Sequence, residues 1–453
     1  MAHEKAKDLA GGTLGPRGSL EVGIALFSMF FGAGNLIIAP LLGVQAGPAV
    51  VPATIGYLVS GVGLPIATIV AIARSGTADA LLSRIGRRFS RIFTVLAYLA
   101  IGPLLAIPRT ASTSFEMTKP LLNASDAAIG VAQLVFSLAF FAAALALALH
   151  PARVVRLMGK VTGPSLIALL VLMVSAQVVA PAGNLADYAQ GAYAQAPVVA
   201  GFVQGYQTLD LLAALAFGVV IANSVHAMGV TSPRAAAAQV ARSGIVAGAL
   251  MALVYCALAY LGARMGTVSS SATNGAEVIS LSASLHFGVA GTALTAATFF
   301  IACFNVCVGL VSSIGQYFAE TFPRISYRGW AVIIAVVSCV LSNAGLTAIL
   351  TYSLPVLMAL YPMGICAMVM GLVPRTSAHP LMWRCGMACV GVVSTAGAVR
   401  DALAPGGALP LIDSLPAAAI GLGWVVPGIL GLALGALVEA ALRSKGNGEP
   451  VDK

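Results

Sequence analysis

"MFFGAGNLIIAP", Met29 to Pro40, lies inside the first long apolar run of the chain. A segment that crosses lipid must satisfy its main-chain polar groups internally, which an unbroken helix does and a Gly-Ala-Gly-Asn interruption does not. Either the glycines let a neighbouring helix pack closely, or the break is itself a site. An asparagine set beside two glycines favours the second reading, because close packing gains nothing from an amide at that depth.

The rest of the chain shares the apolar character of this run. Of 453 residues, 59% are hydrophobic and 9% charged, with a mean hydropathy of +0.96. A soluble domain carries roughly a quarter charged residues, so the composition specifies an integral membrane protein. The first nineteen residues carry His3, Glu4, Lys5, Lys7, Asp8 and Arg17 and no apolar core, so no cleavable secretory signal is expected there.

A hydrocarbon layer about 30 Å thick takes about 20 apolar residues per helix. Twelve such runs are read near residues 20–42, 49–73, 91–116, 128–149, 154–180, 207–227, 236–262, 290–319, 329–350, 353–373, 381–401 and 419–442, here spans 1 to 12. With the N-terminus cytoplasmic, 20 of the 24 basic residues fall in inner loops, and only Arg109, Lys119, Arg264 and Arg400 lie outside. This is the positive-inside pattern; it places both termini in the cytoplasm and accounts for the net charge of +9 without nucleic acid. Two outer connections are long. The one after residue 262 contains "NGAEVISLSASLHFG", where Val278, Ile279, Leu281 and Leu285 fit one face of a short helix.

A second interruption is expected in span 6, "DLLAALAFGVVIANSVHAMG", around Phe217-Gly218, although Gly218 also fits close helix packing. Spans 1 and 6 run in opposite directions. Two broken helices at matching positions of oppositely oriented halves point to an inverted-repeat secondary transporter with its site at the midplane.

Nucleophile elbows, phosphate loops and metalloprotease motifs are absent, so no enzyme is expected. The seven cysteines sit in apolar segments without histidine or carboxylate neighbours and are read as packing residues, with no disulfide or metal assigned. Glu21, Asp210 and Glu116 sit near helix ends, where the acids at helix starts favour the positive end of the dipole. Without an evident buried acid, coupling to a metal cation is preferred over coupling to protons. Arg109 and Glu116, seven residues apart in "YLAIGPLLAIPRTASTSFE" (Tyr98 to Glu116), share a face as an outer gate or a structural ion pair. On span 8, Ser312 and Ser313 offer hydroxyls to a small hard cation.

"FSMFFGAGNLIIAPLLGVQAG" (Phe27 to Gly47), the Tyr98 to Glu116 stretch, "SNAGLTAIL" (Ser342 to Leu350) and "LPVLMALYP" (Leu354 to Pro362) together resemble the branched-chain amino acid:cation symporter family, bacterial carriers of leucine, isoleucine and valine. The resemblance implies an all-α integral membrane fold of the leucine-transporter type. That fold has two inverted five-helix repeats, here 20–180 and 206–373, followed by two helices at 381–443. It implies sodium (Na+) as coupling ion, no cofactor, a bacterial inner membrane, and a monomer or weak oligomer. Substrate would meet Gly32, Ala33, Gly34, Asn35, Tyr98, Phe217, Gly218 and Val219. The cation would meet main-chain carbonyls around Ser28 and Phe31, with Ser312 and Ser313 opposite. This chain lacks the paired threonines that many members carry near Asn305-Val306-Cys307, so Ser312 stands in for a richer pattern.

Overall fold

A computed structural model describes residues 14–122, 125–373, 379–403, 407 and 409–446. Among these residues there is no strand, and every apolar run has a helical counterpart. Ten helices are long and apolar enough to cross a membrane, and Tyr327–Ser342 is a shorter apolar helix. The ten fall short of the twelve runs for two local reasons. Span 9 has only the 16 residues of Tyr327–Ser342. The second half of span 1, Ala33–Ala46, runs through the turn Gly47–Ala49 into span 2, so that residues 33–75 form one long helical stretch. Gly47 adopts φ +48° at that corner, a conformation that side chains with a Cβ disfavour.

Burial sorts the helices. The apolar window of span 6 is 71% buried and that of span 8 is 67%, whereas that of span 12 is 22%. In lipid an apolar helix has no hydrophobic reason to bury itself, so strong burial marks the elements gathered around a common centre. Residues 31–40 are buried without exception, which puts the interruption of span 1 at that centre.

Regular α-helix fails in four places inside spans 1 to 5. Span 1 is cut at Phe31-Gly32, between Pro16–Phe30 and Ala33–Ala46. Wide π turns occupy Val59–Gly63 in span 2, Ala100–Leu104 in span 3 and Met158–Thr162 in span 5. The span 3 turn includes Gly102 in a non-helical conformation ahead of Pro103, whose ring nitrogen carries no hydrogen to donate to the normal helical bond. Such turns free backbone groups and are frequent at functional sites.

The outer helix expected after residue 262 forms as Gly275–Phe287, with the Asn274 side chain accepting from the Ala276 and Glu277 N–H groups at 3.0 and 3.2 Å. Its inner face differs from the expectation. Val278 and Ile279 are buried together with Ser282 and Ala283, while Leu281 and Leu285 are 36% and 53% exposed. The helix is rotated so that small residues meet its neighbours.

Candidate functional site

The interruption of span 1 is a two-residue extended link. Phe31 has φ −78°, ψ 93° and Gly32 has φ −126°, ψ −158°, after which a new helix starts at Ala33. A helix start leaves its first N–H groups without partners. Among the described residues, the N–H groups of Gly34 and Asn35 find no acceptor, and that of Ala33 faces the Cys303 sulfur. Both glycines are required by close neighbours. A Cβ at Gly32 would stand 2.6 Å from Val306 Cγ2, and one at Gly34 would stand 2.7 Å from Arg109 Nη2.

Opposite this link, span 6 begins with its own reversal. The turn Gly205–Thr208 leads to Leu209 at φ +70°, ψ 0°, and the helix Asp210–Ala227 starts at the next residue. Strained conformations of non-glycine residues cost of order 1–3 kcal/mol and cluster at functional sites. The reversal turns Asp210 into the protein centre, where it is 2% exposed. Asn35 Nδ2 donates to Asp210 Oδ2 at 2.7 Å and also to the Tyr255 hydroxyl of span 7. Tyr255 in turn donates to Asp210 Oδ2 at 3.0 Å. The carboxylate also lies at the positive end of its own helix. Spans 1, 6 and 7 are thus tied together by one buried polar knot.

Between the two reversals lies a cavity of about 20 Å³, bounded among others by Phe30, Gly32, Asn35, Arg109, Asp210 and Phe217. That is room for about one water and far too little for an amino acid, so the site is shut around its own side chains. Below it, a second cavity of about 330 Å³ is lined by Asp79, Arg91, Tyr98, Ser313, Tyr317 and Glu320.

The residues expected at the substrate site divide. Gly32, Ala33, Gly34, Asn35 and Phe217 line the upper cavity, with the Phe217 ring edge-on to Phe30 at 5.2 Å. Gly218 faces Ile72 of span 2, where an added Cβ would lie 3.1 Å from Ile72 Cγ2, so it is a packing position. The Val219 side chain lies outside the described residues. Tyr98 borders the lower cavity, donating to the Leu215 carbonyl at 2.8 Å with its ring 4.5 Å from that of Tyr317. The interruption expected at Phe217-Gly218 is not there. That stretch is continuous helix, and the reversal lies at Leu209.

The expected cation ligands also divide. Ser28 Oγ is buried with no hydrogen-bond partner, and so is Thr162 Oγ1 in the span 5 π turn. The Phe31 carbonyl accepts no hydrogen bond among the described residues. Ser312 instead donates to the Ala148 carbonyl at 3.4 Å, which also accepts from the Tyr327 hydroxyl, and Ser313 donates to the Gly309 carbonyl at 2.7 Å. Adjacent helical residues diverge by about 100°, so the two serines serve span 4 and their own helix.

The Arg109 and Glu116 gate is not assembled. No ion pair joins them among the described residues: Arg109 is 7% exposed and turned onto the span 1 link, and Glu116 is half-buried two turns on. The sequence reading missed the placement of Asp210 and the participation of Tyr255 and Thr162. The available signal was that Asp210 begins an apolar run just after a stretch rich in glycine and polar residues.

A helix cut at the core of a lipid-adapted bundle, facing a second reversal across a closed polar cavity, defines a multi-pass membrane transporter rather than an enzyme. The chain belongs to the branched-chain amino acid transport protein family, which it matches over residues 17–442. It is 39% identical over 435 residues to the branched-chain amino acid transport system 3 carrier protein of Pseudomonas aeruginosa, covering 94% of this chain and 97% of that one. It is 37% identical over 424 residues to the branched-chain amino acid permease BraB of Bacillus subtilis, covering 92% and 94%. A nucleobase-cation-symport-1 family transporter, solved in a closed conformation with bromovinylhydantoin bound, superposes with a TM-score of 0.60 at 17% identity, covering 96% of this chain and 94% of that one. The fold is therefore of the leucine-transporter type.

Proposed function

We propose that this chain is a secondary active symporter that imports leucine, isoleucine and valine across a bacterial inner membrane, coupled to sodium. It crosses the membrane twelve times with both termini cytoplasmic. Five-helix units at 20–180 and 206–373 are related by inversion, followed by helices at 381–443. The observation that carries the reading is the meeting of the span 1 link with the span 6 reversal around one cavity. Its polar rim suits the two charged groups of an amino acid, and Phe30, Ile101, Phe217 and Leu310 suit an aliphatic side chain. The relatives named as branched-chain amino acid carriers support the substrate class.

For the cation, Ser28 and the Phe31 carbonyl supply unsatisfied oxygens, and Ser312 is replaced by the unpartnered Thr162 hydroxyl, whose neighbour Gly163 packs so close that a Cβ there would stand 2.5 Å from Ser28 Oγ. Alternating access follows from the two cavities: the upper one opens outward to admit substrate, and the lower one continues the path to the cytoplasm. A proton-coupled carrier of a small neutral amino acid is the second reading, and the burial of Asp210 favours it. Leucine uptake into proteoliposomes with sodium and proton gradients imposed separately decides between them. Uptake driven by sodium alone is expected; uptake driven by acid outside and indifferent to sodium would overturn the sodium assignment.

A further inference from the structure

Two opposite charges line the upper cavity without being paired to each other. Arg109 of span 3 is 7% exposed and makes no hydrogen bond or ion pair within 4 Å among the described residues. Asp210 of span 6 is 2% exposed and takes the Asn35 and Tyr255 hydrogen bonds on Oδ2, with the Thr208 hydroxyl also beside the carboxylate, so Oδ1 keeps acceptor capacity. An unpaired buried charge is destabilising, and a buried guanidinium without any acceptor is the more costly of the two. The pair does not close on itself even though both residues border a cavity with room for about one water.

From this arrangement we infer that Arg109 and Asp210 form the two ends of a zwitterion clamp: Arg109 takes the substrate carboxylate and Asp210 takes its ammonium. This deepens the function proposed above and rests on it. The carboxylate end is reinforced by the unpartnered N–H groups of Gly34 and Asn35, whose helix start presents a positive dipole. The absence of a side chain at Gly34 is what lets the guanidinium approach, because a Cβ there would stand 2.7 Å from Nη2. A planar guanidinium beside two main-chain donors matches a carboxylate, which accepts on two oxygens. At the other end, the Asn35 and Tyr255 bonds fix the Asp210 carboxylate in one orientation while leaving an oxygen for an ammonium donor. The two charges of an amino acid sit on one carbon, so a ligand that satisfies both ends has its side chain directed at the apolar wall formed by Phe30, Phe217 and Val306. The clamp selects the amino acid head group, and the wall selects the aliphatic tail.

The test is calorimetric binding to the full chain in nanodiscs, using L-leucine, 3-methylbutylamine (leucine without its carboxylate) and 4-methylpentanoate (leucine without its ammonium). Wild-type protein is expected to prefer leucine over each analogue by about 100-fold or more, as sites built to bond a polar group reject ligands lacking it. Arg109→Gln is expected to shrink the leucine-to-amine preference to within about tenfold while leaving the leucine-to-acid preference large; Asp210→Asn is expected to do the converse. Either neutral variant that keeps both wild-type preferences overturns the clamp. If a neutral variant does not fold, Arg109→Lys and Asp210→Glu keep the charge but displace it. Each is expected to weaken leucine at least about tenfold and to leave unchanged the analogue that lacks the group it contacts. Undiminished leucine affinity in these variants also overturns the clamp. Wild-type protein that binds none of leucine, isoleucine and valine overturns the proposed function instead, and the two failures are thereby distinct.

Discussion

Asn35 and Asp210, 175 residues apart in the chain, meet through a 2.7 Å hydrogen bond from the amide Nδ2 to the carboxylate Oδ2. Each residue follows a break in the helix, Asn35 three positions after Gly32 and Asp210 directly after Leu209. The bond therefore fixes two non-helical links relative to each other. Movement of span 1 against span 6 has to break it or carry it along.

Asn35→Ala removes a donor from a buried carboxylate, a loss of about 1–3 kcal/mol at that group. Leucine uptake in cells is expected to fall by more than about tenfold, while the amount of protein in the membrane fraction is unchanged. Near-normal uptake would detach the polar knot from transport.

Gly32→Ala tests whether the close approach of spans 1 and 8 is required. The φ of −126° at Gly32 is accessible to alanine, so the cost lies in the contacts with Val306, 2.6 Å to Cγ2 and 3.2 Å to Cβ. Uptake is expected to fall by about tenfold or more in Gly32→Ala and to recover in part in the double variant Gly32→Ala, Val306→Ala, because the second change removes the shorter of the two contacts and leaves the one to Cβ. Equal defects in the single and double variants would place the role of Gly32 elsewhere.

The difference between what could and could not be read from sequence follows from these residues. The link in span 1 was legible because two glycines and an asparagine contradict a lipid-facing helix. The reversal in span 6 was not, because Leu209 carries no glycine or proline signal and its positive φ is imposed by packing. Phe217-Gly218 looked like a break, yet glycine is tolerated inside a helix and here simply admits Ile72. Asp210 stands near a helix start in the sequence, which suggests an acid at the membrane edge; the short helix Pro197–Gln204 and the turn after it place it at the centre. Arg109 and Glu116 do share a helix, but spacing along one helix does not reveal which neighbour each side chain meets. For the same reason the sequence offers Ser312 to a cation, although its hydroxyl donates to the Ala148 carbonyl at the end of span 4.

Ser28→Ala separates a ligand from a packing residue. The Ser28 hydroxyl is buried without a partner, so a purely structural hydroxyl would be removed at little cost or with a gain in stability. As a sodium ligand, its loss is expected to raise the sodium concentration for half-maximal uptake by about tenfold with thermal stability unchanged. Ser312→Ala is expected to do the reverse, lowering stability by about 1 kcal/mol through the Ala148 carbonyl and leaving the sodium response intact. An unchanged sodium response in Ser28→Ala would remove it from the cation site.

Tyr98 stands at the floor between the two cavities: its hydroxyl holds the Leu215 carbonyl at 2.8 Å, and Ile101, three residues on, already lines the upper cavity. In the proposed orientation this floor is the barrier on the cytoplasmic side. Tyr98→Phe keeps the ring against Tyr317 and loses only the hydroxyl bond, worth about 1 kcal/mol, which shifts a two-state equilibrium about fivefold toward the inward-open form. Because substrate outside then meets the accessible state less often, the KM for external leucine is expected to rise severalfold. Tyr98→Ala, which removes the ring as well, is expected to raise it further. Uptake kinetics across the three proteins check the order, and an unchanged KM in Tyr98→Ala would mean that the barrier between the cavities is formed by other side chains.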